Sequence, residues 1–177
     1  MQELLAENNR LKDLLSFKQK SSYKVIAAHV IGRAPDNWNS ALIIDKGSLN
    51  GIKSGMTVMT YLGLVGRVAE VSKSASKIML VTDPDFAISA VLQRSRQQGL
   101  VVGALGNLLV MKYLAHDTDI KPGDVVVSAG LTDAYPKGLI IGTVTEFIED
   151  SSGLSYYCLI KPAVNLFNLE EVLVIVS

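Results

Sequence analysis

Residues 51–58 read GIKSGMTV and residues 119–126 read DIKPGDVV, so one pattern of lysine, glycine and valine occurs twice. A second string follows each copy in the same order, VGRV at 65–68 and IGTV at 141–144. Self-similarity in a fixed order indicates a repeated structural unit. The chain is therefore expected to contain two related modules.

Both copies lie among short β-branched runs that are separated by glycine, asparagine, aspartate and proline. KVIAAHVIG at 24–32 and NLLVMKYL at 107–114 are examples, and such runs are typical of strands. No helical period separates them, which excludes βαβ units. We predict a mainly β fold of two small β-barrel or Greek-key modules, at residues 23–96 and 97–177, each with five or six strands.

The composition agrees with this fold and excludes several functions. The 177 residues are 49% hydrophobic but only 6% aromatic, which suits narrow barrels filled by Val, Ile, Leu and Ala. Lys plus Arg total 17 and Asp plus Glu total 17, so the charge balance argues against a nucleic-acid partner. The single Cys excludes a disulfide framework and a Cys-based zinc cluster.

The first 22 residues differ from the rest, because they lack glycine and proline and are rich in helix-forming residues. We predict a coiled-coil helix over residues 1–22. Its self-association seam consists of the residues at the core positions of a heptad repeat: Leu4, Asn8, Leu11 and Leu15. The alternative is an amphipathic helix packed on its own domain, because Leu5 and Leu14 widen the apolar stripe.

No run in the chain reaches the roughly 18 apolar residues of a membrane-spanning helix. The N-terminus also lacks the basic start and apolar core of a secretory signal. The helix begins at Met1 without a capping residue, as a segment cut from a longer chain does. We therefore expect further chain upstream of Met1.

The polar residues do not form a recognisable catalytic or metal site. Asp117, Asp119, His116 and Ser128 supply the residue types of a serine triad, but no nucleophile-elbow glycines surround the serine. His29 and His116 are far apart and have no Cys partner, so they lack metal-ligand spacing. We predict no enzyme activity, no cofactor and no metal.

Trp38 is the only tryptophan and lies in a polar loop between two strands. An aromatic residue in a loop often anchors a partner. Trp38 is therefore predicted either to contact a partner or to plug the end of its own barrel.

Several strings together resemble the bacterial rod shape-determining family MreC. They are ENNRLK at 7–12, VIGRAPDNW at 30–38, IDKG at 44–47, GLVGRV at 63–68, GDVV at 123–126 and YPKG at 135–138. The match spans nearly the whole chain in the right order. One departure is Ser128-Ala129-Gly130, where the family pattern has Thr-Ser-Gly.

The resemblance implies a non-enzymatic scaffold of the cell-elongation machinery that forms and maintains rod shape. It implies a single membrane-spanning helix upstream of Met1, with this segment outside the inner membrane. The partners that it implies are a class B penicillin-binding transpeptidase, the glycosyltransferase RodA, MreD, MreB filaments, and further copies in a homodimer or filament. The physical reading adds exposed strand edges as docking sites.

The alternative function is a periplasmic adaptor subunit of an efflux or secretion system. Such adaptors also combine helices with β modules. They usually carry two long antiparallel helices in mid-chain, and the sequence predicts none there.

Overall fold

The computed structural model describes residues 3–8, 24–36, 39–104, 107–114, 119–130, 135–149 and 156–176. Residues 3–8 form a helix, and a short 3-10 helix spans Ser48–Asn50. The described strands are β1 Val25–Asp36, β2 Asn39–Ile44, β3 Thr57–Thr60, β4 Gly63–Val71, β5 Ser76–Leu80, β6 Ala87–Leu92, β7 Gln98–Ala104, β8 Leu108–Leu114, β9 Val125–Ser128, β10 Ile140–Glu149, β11 Tyr156–Pro162 and β12 Glu171–Ile175. The predicted mainly β class is confirmed.

The strands form two closed antiparallel barrels of six strands each. The first has the order β1-β12-β3-β4-β5-β2 and the second β10-β11-β8-β7-β6-β9. Around the second ring, β7 to β11 occupy the places that β1 to β5 hold in the first. The barrels therefore share one topology, and the repeated glycine strings lie at the same turn in each.

The sixth strand of each barrel is exchanged between the two. β6 follows β5 in the chain but closes the second barrel, whereas β12 follows β11 and closes the first. The boundaries 23–96 and 97–177 expected from the sequence assign each of these strands to the opposite barrel. The sequence repeat predicts the order of strands along the chain, but it does not predict which barrel the last strand of each repeat joins.

The two barrels are joined closely as well as through the chain. Gly63 has φ +155°, and a Cβ at this position would lie 2.4 Å from the carbonyl oxygen of Ile140, so glycine alone permits this backbone approach. Phe86, in the connection between β5 and β6, packs edge-on against Tyr135 with ring centroids 5.9 Å apart. Buried side chains of both barrels form one continuous cluster.

Both rings are closed, so neither described barrel ends in an edge strand. The expectation that partners pair with exposed strand edges therefore does not hold for the described barrels. A docking surface has to be sought among side chains on the barrel exterior instead.

Candidate protein-docking surface

The predicted seam is only partly described. Leu4 and Asn8 are exposed on the helix at residues 3–8, whereas Leu11, Leu15 and Trp38 lie outside the described residues. A helix of this length does not show a coiled coil. Among the described helices, none has the length and apolar character needed to cross a membrane.

Ser128 holds a turn and is not placed as a nucleophile. Its side chain is completely buried, its hydroxyl donates to the carbonyl of Pro136, and it accepts the N–H of Leu139 at 2.8 Å. Both hydroxyl functions are therefore occupied. His116 and Asp117 lie outside the described residues.

Asp119 belongs to an ion-pair cluster that ties two turns of the second barrel together. Arg94 lies 2.8 Å from a carboxylate oxygen of Asp119 and 2.9 Å from one of Asp124. Hydrogen bonds from Arg94 are the main cause that lowers the pKa of both carboxyl groups. The cluster therefore stabilises the second barrel by connecting two of its turns.

The remaining candidates for chemistry are equally structural. Cys158 is fully buried, and burial raises its pKa to about 11, which keeps the thiol protonated and unreactive. The part of the chain that the structure describes contains no group of three or more metal-ligating side chains.

The second barrel carries an apolar surface on the outside of β7, β8 and β11. Along these strands, fully buried side chains alternate with half-buried ones. The buried set, including Val101, Leu109 and Ile160, faces the barrel interior, so the half-buried set faces outwards. We call that set the outer face: Leu100, Val102, Leu108, Val110, Tyr157 and Leu159.

Strand register places the outer-face side chains next to one another. Val102 pairs with Val110, and Val110 pairs with Leu159, so three aliphatic side chains form a row across the sheet. An antiparallel sheet with a solvated side normally carries polar residues at such positions. A contiguous apolar surface is typical of protein–protein interaction sites.

A groove lies at one end of the outer face. Val110, Lys112, Tyr113, Tyr156 and Tyr157 line it, and its volume is about 300 Å³. The ring of Phe147 stacks on the ring of Tyr156, with centroids 5.4 Å apart and an interplanar angle of 13°. The groove is therefore an aromatic pocket beside one ammonium group.

Tyr113 forms the most exposed wall of this groove. It is 79% exposed and has φ 63°, a left-handed conformation that costs a residue with a Cβ about 1–2 kcal/mol. The regular pairing of β8 with β11 is interrupted at this point, and such an irregularity re-aims a side chain.

Sequence reasoning missed this surface. The tyrosines come from two distant stretches, and only the pairing of β8 with β11 brings them together. Residues 99–105 and 107–114 are apolar almost throughout. A strand with one solvated face normally alternates apolar and polar residues, so this composition could have indicated an apolar outer side.

Comparison with known proteins identifies the family. A model described as rod shape-determining protein MreC, barrel core, matches residues 30–176. The chain belongs to the MreC family. The cell shape-determining MreC proteins of Listeria monocytogenes and Bacillus subtilis are 35% and 32% identical to it, over 98% and 99% of its length. It spans 61% and 65% of those two relatives.

Solved structures agree. One MreC structure has a TM-score of 0.90 at 31% identity, covering 97% of this chain and 98% of that one. The major periplasmic domain of MreC matches at a TM-score of 0.73 and 25% identity, over 85% of this chain and 94% of that one, so the barrels correspond to that periplasmic domain. MreC of Helicobacter pylori, solved in complex with penicillin-binding protein PBP2, shares the fold over 87% of this chain, at TM-score 0.65 and 15% identity.

Membership of the MreC family also settles the question of catalysis. The family is a non-enzymatic one that determines cell shape, as the sequence analysis predicted. The buried states of Ser128 and Cys158 are consistent with that assignment.

Proposed function

We propose that this chain is the extracytoplasmic scaffold region of the cell-elongation machinery, and that its second barrel docks a class B penicillin-binding transpeptidase. The outer face carries this proposal, because it gathers six half-buried side chains on the outside of β7, β8 and β11. The complex of Helicobacter pylori MreC with PBP2 supports the class of partner.

The outer face is of the right chemistry for such a contact. Completing the burial of half-exposed aliphatic side chains contributes about 1 kcal/mol each. The row of Val102, Val110 and Leu159, together with Tyr157, supplies the apolar centre that an interface needs. The aromatic groove supplies an anchor pocket at its margin.

The proposed mechanism requires no covalent chemistry. Contact with the barrel stabilises one conformation of the transpeptidase relative to another, and the population of the active state rises accordingly. The extent of the shift is set by the difference in binding affinity between the two conformations.

The other proposed contacts come from the sequence and the family resemblance. A single membrane-spanning helix upstream of Met1 anchors the scaffold in the cell membrane and places it beside MreD, RodA and MreB filaments. The seam of Leu4, Asn8, Leu11 and Leu15 supports a homodimer or filament. Trp38 is a second candidate contact with a partner.

The test is a substitution of Leu159 to Lys. Leu159 pairs with Glu146 in β10, and Lys77 holds the equivalent place in the first barrel, opposite Glu70. The barrel topology therefore tolerates a lysine there. We expect Leu159→Lys to weaken binding of the purified extracytoplasmic part of the cognate transpeptidase at least tenfold, measured by calorimetry or biolayer interferometry.

Ile31→Lys is the matched control. Ile31 is 60% exposed on the first barrel, so the change is also apolar to lysine but lies away from the outer face. Equal loss in both variants contradicts a specific role for the outer face. Absence of binding by the wild-type chain contradicts the proposed function itself.

A further inference from the structure

Lys112 places an ammonium group at the edge of an apolar surface. Among the described residues that line the groove, it is the one that carries a charge. It is exposed and makes no salt bridge within the described parts of the chain. Its neighbour across the strand pair is Leu100, which offers no charge.

In the first barrel, the position equivalent to Lys112 has a polar partner. Strand register makes Asp45 the counterpart of Lys112 and His29 the counterpart of Leu100. There, Asp45 accepts the backbone N–H of His29 at 2.8 Å and lies 3.4 Å from Nδ1 of the same residue. The polar group of the first barrel is satisfied within the barrel, whereas Lys112 makes no salt bridge with the described residues of the second.

Covering the outer face makes this difference consequential. A partner that seats on Val110 and Tyr157 removes water from the neighbouring ammonium group, which is costly without a compensating charge. A carboxylate in the partner offsets that cost, and a neutral or basic group does not. Lys112 therefore selects among partners of similar shape.

The aromatic lining of the groove favours an apolar side chain next to the partner's carboxylate. Tyr113 and Tyr156 provide two aromatic walls, one exposed at a strained backbone position and one fixed by stacking on Phe147. Tyrosines of this kind provide rigid contact area at small entropic cost. The groove continues onto the aliphatic outer face, and the described residues that line it include no amide or carboxylate, which favours a protein segment over a glycan.

We infer that the groove receives a segment of the partner protein in which an aspartate or glutamate is adjacent to an apolar anchor residue, the carboxylate pairing with Lys112. The inference rests on the proposed docking of the transpeptidase and names the chemistry of the segment that seats there. It makes Lys112 a specificity-determining residue of the interface.

The experiment measures affinity of the full chain for the extracytoplasmic part of the cognate transpeptidase at low and high salt. Lys112→Glu is expected to weaken binding about tenfold or more, and Lys112→Arg by no more than about threefold, since charge complementarity is kept in the latter. In Lys112→Met the salt dependence of binding is expected to decrease, because one ionic contact is lost. Lys112 is exposed, so circular dichroism should show unchanged folding.

Lys73→Glu is the matched control, because Lys73 is exposed on the first barrel and the net charge change is the same. Equal weakening by Lys73→Glu and Lys112→Glu overturns the inference. The inference is also overturned if Lys112→Glu binds with wild-type affinity while Leu159→Lys has lost binding. In that case the proposed docking by the outer face still holds.

Charge reversal in the partner completes the test. Single Asp→Lys or Glu→Lys changes in the transpeptidase are combined with Lys112→Glu, and recovery of affinity in one combination identifies the pairing carboxylate. No recovery in any combination overturns the inference. A soluble peptidoglycan fragment that displaces the transpeptidase from the wild-type chain but not from Lys112→Glu also overturns it, in favour of a glycan site.

Discussion

The two barrels have one topology but satisfy equivalent positions by different chemistry. Opposite equivalent glutamates, the first barrel has Lys77 where the second has Leu159. In the repeated turn, the backbone N–H of Lys53 bonds the sulfur of Met56, whereas that of Lys121 bonds the carboxylate of Asp124 at 2.9 Å. At these positions the first barrel has a charged outer residue and an uncharged acceptor in the turn, whereas the second has an aliphatic outer residue and a charged acceptor.

The difference bears on the proposed docking of a partner by the second barrel. A charged outer position is a poor centre for an interface, because it has to be desolvated on contact. An aliphatic outer position gains free energy when covered. Within the first barrel, β12 is buried along its whole length.

The largest expected effect comes from removing the exchanged strand. Deleting residues 171–177 takes four buried apolar side chains from the first barrel: Val172, Leu173, Val174 and Ile175. At about 1.5–3 kcal/mol each, their loss amounts to about 6–12 kcal/mol, comparable to the whole stability of a typical domain. We expect the cooperative thermal transition measured by circular dichroism to disappear.

Deleting residues 1–8 is the control for that experiment, because the helix at residues 3–8 is exposed along its length and its loss should leave the transition in place. A first barrel that still melts cooperatively without β12 shows that the exchange is not needed for folding.

The next effect concerns the joint between the barrels. Gly63→Ala places a Cβ 2.4 Å from the carbonyl oxygen of Ile140, and we expect a loss of about 2–4 kcal/mol in the free energy of unfolding by urea. Gly55→Ala is matched, because Gly55 has φ +92° but open space around it, and should cost only about 1 kcal/mol. Equal losses mean that backbone conformation, not close approach, requires glycine at 63.

The smallest expected effect is a difference in acid sensitivity between the two repeated turns. Arg94 lowers the pKa of Asp119 and Asp124 below the ordinary 3.8, so their stabilisation is present above that value and is lost as pH falls through the lowered pKa values. We expect hydrogen exchange to show loss of protection at the amide of Lys121 in acid, with no such change at Lys53.

Arg94→Met moves this loss to higher pH, because without the guanidinium the carboxyl pKa values rise towards their ordinary range. An acid transition of Lys121 that does not shift in Arg94→Met assigns the acid sensitivity to other groups.

Local features of the fold were predictable from the sequence. Gly55 and Gly123 stand at the same place in the two repeat strings and both adopt left-handed backbone, with φ of 92° and 93°. A turn of this type depends on residues adjacent in the chain. Strand identity and the repeat therefore followed from short-range patterns.

The candidate site was predictable only in part. No nucleophile-elbow glycines surround Ser128 in the sequence, and the structure places this serine in a buried turn. The groove was not predictable, because Tyr113 and Tyr156 are joined by long-range pairing, and Lys112 becomes notable only when Leu100 is known to face it.

Strand positions, the twofold repeat and the family could be read from residue order, since each depends on local conformational preference and short motifs. The exchange of β6 and β12 between the barrels, and the clustering of half-buried aliphatic side chains outside β7, β8 and β11, required the folded molecule. Closure of a barrel and exposure of a face depend on pairing between distant strands, whose free energy comes from burial in the whole molecule.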